Sequence, residues 1–95
     1  MSNSLLNEKT TVSQAANVAA ADLDGEVVML RLETGKYYGL GSVGSRIWEL
    51  IAQPCRIAEL IDNLAAEYAV TRKTCLADTV KFLTHLATEG LISVN

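Results

Sequence analysis

Apolar residues crowd together from Val27 to Leu32 and then recur at helical spacing from Val43 onward. Glu26–Glu33 is the best strand in the chain. Glu33-Thr34-Gly35-Lys36 reads as a tight hairpin turn, with Gly35 free to take φ > 0. Tyr37–Leu40 is then a short return strand, too short and too rich in glycine for the middle of a sheet. It is expected at an edge, where unpaired backbone groups offer a template to another chain. With Thr34 and Gly35 as a two-residue turn, Glu33 faces Lys36, Leu32 faces Tyr37, Arg31 faces Tyr38 and Leu30 faces Gly39. Val28, Leu30, Leu32 and Tyr37 then share one face, and Met29, Arg31, Tyr38 and Leu40 the other. The first face is the more apolar and is expected to cover the core.

Upstream, residues 1–9 are mostly polar, with Leu5 and Leu6 among the exceptions, and are expected as a flexible arm before a single domain over 10–95. Val12–Ala20 carries a mixed signal, since Thr11, Val12 and Val18 favour strand and the alanines favour helix. A hairpin needs a third strand to be stable, so this stretch is predicted as one irregular strand. Asp22-Leu23-Asp24-Gly25 is a turn.

Downstream, Ser42 or Gly41 caps a helix running to about Gln53, with Val43, Ile47, Leu50 and Ile51 as its buried stripe and Trp48 beside it. Pro54 ends it. Arg56–Tyr68 is a second helix, with Ile57, Leu60, Ile61, Leu64 and Tyr68 at core spacing. Arg72–Glu89 is a third, capped by Thr71 and closed by Gly90. Leu91–Val94 docks as a last strand or extended segment. The third helix carries two apolar rows, Leu76, Val80, Leu83, Ala87 and Cys75, Thr79, Phe82, Leu86. Either the core face is wide, or part of the second row lines a groove beside Tyr37–Leu40. Asp78 sits between the rows, as a solvated side chain or as a charged anchor.

The chain has 95 residues, 49% of them hydrophobic, which suits one small domain with a single core. Eight Lys and Arg against eleven Asp and Glu leave a net charge of −3, with no basic run, which argues against non-specific nucleic-acid binding. Cys55 and Cys75 are too few for a disulfide framework and lack CxxC spacing, so both read as small apolar residues in a reducing, cytoplasmic setting. No apolar run has the length of a membrane span, and no signal pattern opens the chain.

Catalytic chemistry is thin. His85 has only Glu89 at i+4 as a neighbour, so no metal site is expected. Gly39, Gly41 and Gly44 have the wrong spacing for a phosphate loop, and no Lys follows. Neither a nucleophile motif nor an acid–base pair assembles. No enzyme and no cofactor are expected.

What remains is geometry: α+β, a three-stranded antiparallel sheet followed by three helices, similar to a winged helix-turn-helix. In one reading the third helix enters a DNA groove, as in a small DNA-binding regulator. Its polar residues, Arg72, Lys73, Asp78, Lys81, His85 and Glu89, are mixed in sign and poor for that purpose. In the other, a peptide adds as a strand to Tyr37–Leu40 and drops side chains against the third helix. That suits the charge balance better. The Tyr38 N–H either faces this edge or turns inward to the paired strand. A third possibility is an edge that pairs with its own copy.

The run from Glu26 to Leu40, then Val43-Gly44-Ser45-Arg46-Ile47-Trp48-Glu49-Leu50, Ile57-Ala58-Glu59-Leu60 and the closing Phe82-Leu83…Leu86…Gly90-Leu91-Ile92, resembles the PqqD-like family over about Thr11–Val94. Tyr-Tyr-Gly-Leu followed by Gly-x-x-Ile-Trp is the more specific part. The resemblance implies a winged helix-turn-helix that recognises the leader of a ribosomally made, post-translationally modified peptide. Such a peptide chaperone presents the precursor leader peptide to a leader peptidase or other maturation enzyme. Carried over, the leader lies against Tyr37, Tyr38, Gly39 and Leu40, with Arg31 on the paired strand, and Cys75, Asp78, Thr79 and Phe82 line the other side. The stand-alone length and the Tyr-Tyr-Gly-Leu segment look most like the B1 proteins of lasso-peptide pathways. They look less like PqqD proper, which serves pyrroloquinoline quinone synthesis with a radical-SAM partner. Gly41 and Ser42 depart from the Asn and acidic residue common in relatives, which weakens the helix cap but leaves the edge untouched. A monomer or weak dimer is expected, with no nucleic acid and no membrane as partner.

Overall fold

Asp24 and Gly25 both take positive φ, 56° and 88°, the backbone pair that turns a two-residue hairpin without splaying its strands. The Asp22 carboxylate accepts the Gly25 N–H at 2.8 Å and fixes the turn. This hairpin joins β2 (Val18–Leu23) to β3 (Glu26–Arg31) in a computed structural model that describes residues 6–95. β4 (Lys36–Gly39) returns along β3, giving an antiparallel sheet in the order β2-β3-β4. Three helices follow, α1 (Gly41–Leu50), α2 (Ile57–Tyr68) and α3 (Arg72–Thr88). The α+β winged helix-turn-helix arrangement is therefore present.

The stretch predicted as one irregular strand is two. β1 (Thr11–Gln14) and β2 are separated by a turn at Ala16-Asn17 and belong to different sheets. β1 pairs instead with β5 (Cys55–Arg56) and β6 (Ile92–Val94), a second small sheet that local sequence gave no means to foresee. Gln14 anchors it to α1: its Nε2 donates to the Trp48 carbonyl at 2.8 Å, and its N–H to the Ile51 carbonyl. Positions 1–5 of the expected arm lie outside the described residues. From Leu6 the chain packs on the core, the Ala58 N–H donates to the Glu8 carbonyl, and the Glu8 carboxylate pairs with Arg72.

The β3–β4 register also differs from the expected one. Arg31 faces Lys36, Leu30 faces Tyr37, Met29 faces Tyr38 and Val28 faces Gly39. The connection is longer than two residues and closes where the Gly35 N–H donates to the Arg31 carbonyl at 2.8 Å. A slip of two residues preserves which side chains share a face. The core face, however, is the opposite one. Met29 is fully buried, whereas Tyr37 is 74% exposed. Both faces are apolar, and counting hydrophobic residues picks the wrong one. Attachment to α1 and α3 does. The Val27 N–H donates to the buried Ser45 hydroxyl at 2.7 Å, and that hydroxyl donates onward to the Gly41 carbonyl.

Val12, Met29, Ile47, Ile51, Leu60 and Leu83 lie at the centre of the core. α1 ends at Leu50, short of the expected Gln53, and starts without a side-chain cap. Val43 and Tyr68, both expected in the core, are 46% and 41% exposed, while Trp48 is buried. α3 keeps its Thr71 cap, the Thr71 hydroxyl accepting the Thr74 N–H. Its buried residues, Cys75, Thr79, Leu83 and Leu86, cut across the two expected rows, so most of the second row is core. No helix among the described residues is long and apolar enough to cross a membrane.

Candidate functional site

β4 has β3 on one side and, among the described residues, no strand on the other. Which of its backbone groups are free follows from the alternation of an antiparallel ladder. The Leu40 N–H donates to the Val27 carbonyl at 3.0 Å. Tyr38 and Lys36, two and four residues back, therefore also turn their backbone toward β3. Tyr37 and Gly39 turn theirs outward. The open edge thus offers the N–H and C=O groups of Tyr37 and Gly39, and the Tyr38 donor points inward, toward Met29 rather than the expected Arg31.

α3 runs alongside this strand on its inner face, tied at two points. The Tyr38 hydroxyl donates to Glu89 Oε1 at 2.8 Å, and Leu40 shares a cleft with Phe82. The cleft, about 170 Å³, is lined by Leu40, Val43, Gly44, Ile47, Asp78, Thr79 and Phe82. Gly44 makes it possible, because a Cβ there would lie 2.9 Å from the Phe82 ring and 3.2 Å from the Leu40 Cβ. Val43, Asp78 and Thr79 continue into a wider cleft of about 370 Å³ with Leu64, Tyr68, Val70 and Cys75. The two form one groove from the end of β4 to the end of α2. A cleft of about 440 Å³ between Leu6–Lys9 and Leu76, Val80 contains none of the expected residues.

Charged side chains lie beside β4 and on the groove wall. The Tyr38 hydroxyl holds the Glu89 carboxyl below the usual carboxylate range, and the bond in turn raises the Tyr38 phenol. Lys36, His85 and Arg31 are the basic side chains around Glu89. The Arg31 guanidinium lies over Gly90, where a Cβ would come within 2.9 Å, and donates to Glu33 at 2.9 Å. Asp78 is exposed on the groove wall and forms no ion pair among the described residues.

The structure therefore gathers Leu40, Asp78, Thr79 and Phe82 into one cleft, places Cys75 in the next, and sets Tyr37 and Gly39 on the open edge. Cys75 and Thr79 are floor, their sulfur and hydroxyl 3.9 Å apart and buried. Tyr38 acts through its hydroxyl, and Arg31 lies beyond it, toward Gly90. Sequence reasoning missed Val43, Gly44, Tyr68, Val70 and Glu89. Gly44 carried a usable signal, since a lone glycine inside a helical pattern marks close approach. Val43 and Tyr68 fell at core spacing and gave none. On α3 the cation a DNA reader would need first, Arg72, is engaged by Glu8 and Asp62.

The family model for coenzyme PQQ synthesis protein D (PqqD) matches residues 26–92. The structure of TbiB1 in complex with the TbiA(beta) leader peptide superposes with a TM-score of 0.80 at 43% identity, covering 85% of this chain and 94% of that one. No curated protein sequence matches the chain.

Proposed function

Because this chain belongs to the PqqD family, we propose that it is a non-catalytic recognition element that binds the leader segment of a ribosomally synthesised precursor peptide. The leader adds as a strand to the Tyr37–Gly39 edge and sets side chains into the groove along α3. The observation that carries this is the open edge of β4 lying directly beside a cleft walled by Leu40 and Phe82. The likeness to TbiB1 with its leader peptide supports the same reading. It also supports, with the Tyr-Tyr-Gly-Leu segment, a B1-type role in lasso-peptide maturation, in which the bound leader is delivered to a leader peptidase.

An NMR titration with the leader of the precursor encoded beside this chain tests it. Shifts gathered at Tyr37–Leu40 and along Cys75–Phe82 are expected; a folded protein showing none at high micromolar peptide would overturn the reading. Two substitutions sharpen it. Phe82→Ala empties one wall of the cleft and should weaken the leader by about 1–2 kcal/mol, roughly tenfold in Kd, with the fold kept. Tyr37→Pro removes an outward N–H, which an edge strand tolerates, and should cost binding rather than stability. Tyr38→Pro breaks the ladder to Met29 and should cost stability.

A further inference from the structure

Antiparallel sheets with one face on a core usually show alternation, apolar inside and polar outside. The β2-β3-β4 sheet does not. Cross-strand pairing puts Ala19, Leu30 and Tyr37 in one row of its outer face, and Ala21 and Val28 in the next, opposite Gly39. Leu23 follows at the hairpin end, 60% exposed. These side chains border a shallow cleft of about 290 Å³ that no element among the described residues covers. A contiguous exposed apolar surface of this kind marks an interaction site.

Three observations select the occupant. The first is size. Two six-residue strands and one of four, about 4.8 Å apart and at about 3.3 Å per residue, make a face of about 250 Å². A stable interface takes about 800 Å² from each partner, so a second copy stacked on this face alone would not hold. The second is continuity. A leader added to β4 becomes the fourth strand of this same sheet, and every second leader residue extends the outer face beside Tyr37. The third is charge. Asp22, Asp24 and Glu26 rim the hairpin end, and none is in an ion pair among the described residues.

From these we infer that the outer face is the docking surface for the leader-processing enzyme, through an apolar patch flanked by cationic side chains. The enzyme reads this face and the leader strand together, as one sheet. The inference rests on the leader-binding reading and adds to it a surface on the opposite side of the sheet from the α3 groove. Docking on the bare protein is weak, and the loaded complex presents the larger, completed face. Recognition is therefore coupled to delivery, with no conformational change needed.

Ala21→Lys and Leu23→Lys replace exposed side chains on this face with charges that repel a cationic rim. Leader affinity is measured first, then cleavage of the bound leader by the processing enzyme encoded with the precursor. Leader Kd is expected within about twofold of wild type, with kcat/KM for cleavage at least tenfold lower. Unchanged cleavage in folded, leader-binding variants overturns the inference. So does a leader affinity that falls in the same proportion, which would give the face to the peptide. A wild-type dimer split by either variant would give the face to a second copy and overturn the inference as well. Failure of the wild type to bind leader appears before any enzyme is added. It overturns the leader reading itself and is thereby told apart.

Discussion

The contact between Tyr38 and Glu89 joins the edge strand to the end of α3 through two side chains 51 positions apart. Because the folded Glu89 carboxyl sits below the usual range, the contact favours the fold above that range. The contribution is lost as pH falls through the folded value. The raised Tyr38 phenol gives the matching limit at high pH, where the contribution is lost as pH rises through the raised value. Tyr38→Phe should return Glu89 toward ordinary behaviour, with Lys36, His85 and Arg31 still nearby to hold it down in part. A carboxyl-carbon NMR titration reads this directly. A Glu89 curve identical in both proteins would mean that the phenol is not what depresses it. None of this was visible in the sequence, where Glu89 was only a weak neighbour for His85. The pairing depends on how far α3 runs beside β4, which no local pattern encodes.

Between α1 and α3, the groove depends on one missing side chain. Gly44→Ala places a methyl group 2.9 Å from the Phe82 ring, so the ring must swing into the cleft. Alanine in a helix interior is favoured over glycine by about 1 kcal/mol, which offsets the packing disturbance. Thermal unfolding should therefore change little while leader affinity falls about tenfold. A loss of both together would mark Gly44 as a core residue rather than a groove residue. At this scale the sequence was most legible: α2, α3, the Thr71 cap and the positive φ of Gly35 all follow from spacing and turn chemistry. The β3–β4 hairpin was legible except for its register and its inward face. Val28, Leu30 and Leu32 outweigh Val27 and Met29 in any count. Burial was decided instead by the Val27–Ser45 hydrogen bond and by where Leu40 must enter α1.

As a whole the molecule is acidic, and its winged-helix architecture alone would fit a DNA reader equally well. Three of the four arginines are engaged in ion pairs: Arg72 by Glu8 and Asp62, Arg46 by Glu49 and Glu67, Arg31 by Glu33. Binding to duplex DNA should be absent at physiological salt, and a fluorescence anisotropy titration across salt concentrations checks it. Steep salt-dependent binding would reopen the regulator reading. A second long-range feature that pattern reading could not reach is the sheet formed by β1, β5 and β6, whose strands are far apart in sequence. Within it Thr11 and Asn95 exchange both backbone hydrogen bonds, at 3.2 and 2.8 Å. The first and last strands of the fold therefore adjoin at Thr11 and Asn95, one strand spacing apart, about 5 Å. A domain whose first and last strands adjoin in this way, carrying its packed residues 6–10 with it, can be spliced into a surface loop of a host enzyme. The open edge of β4, on the other sheet, would stay free to work. For anyone wishing to give an unrelated catalyst an appetite for tagged peptides, that makes this fold a ready cassette.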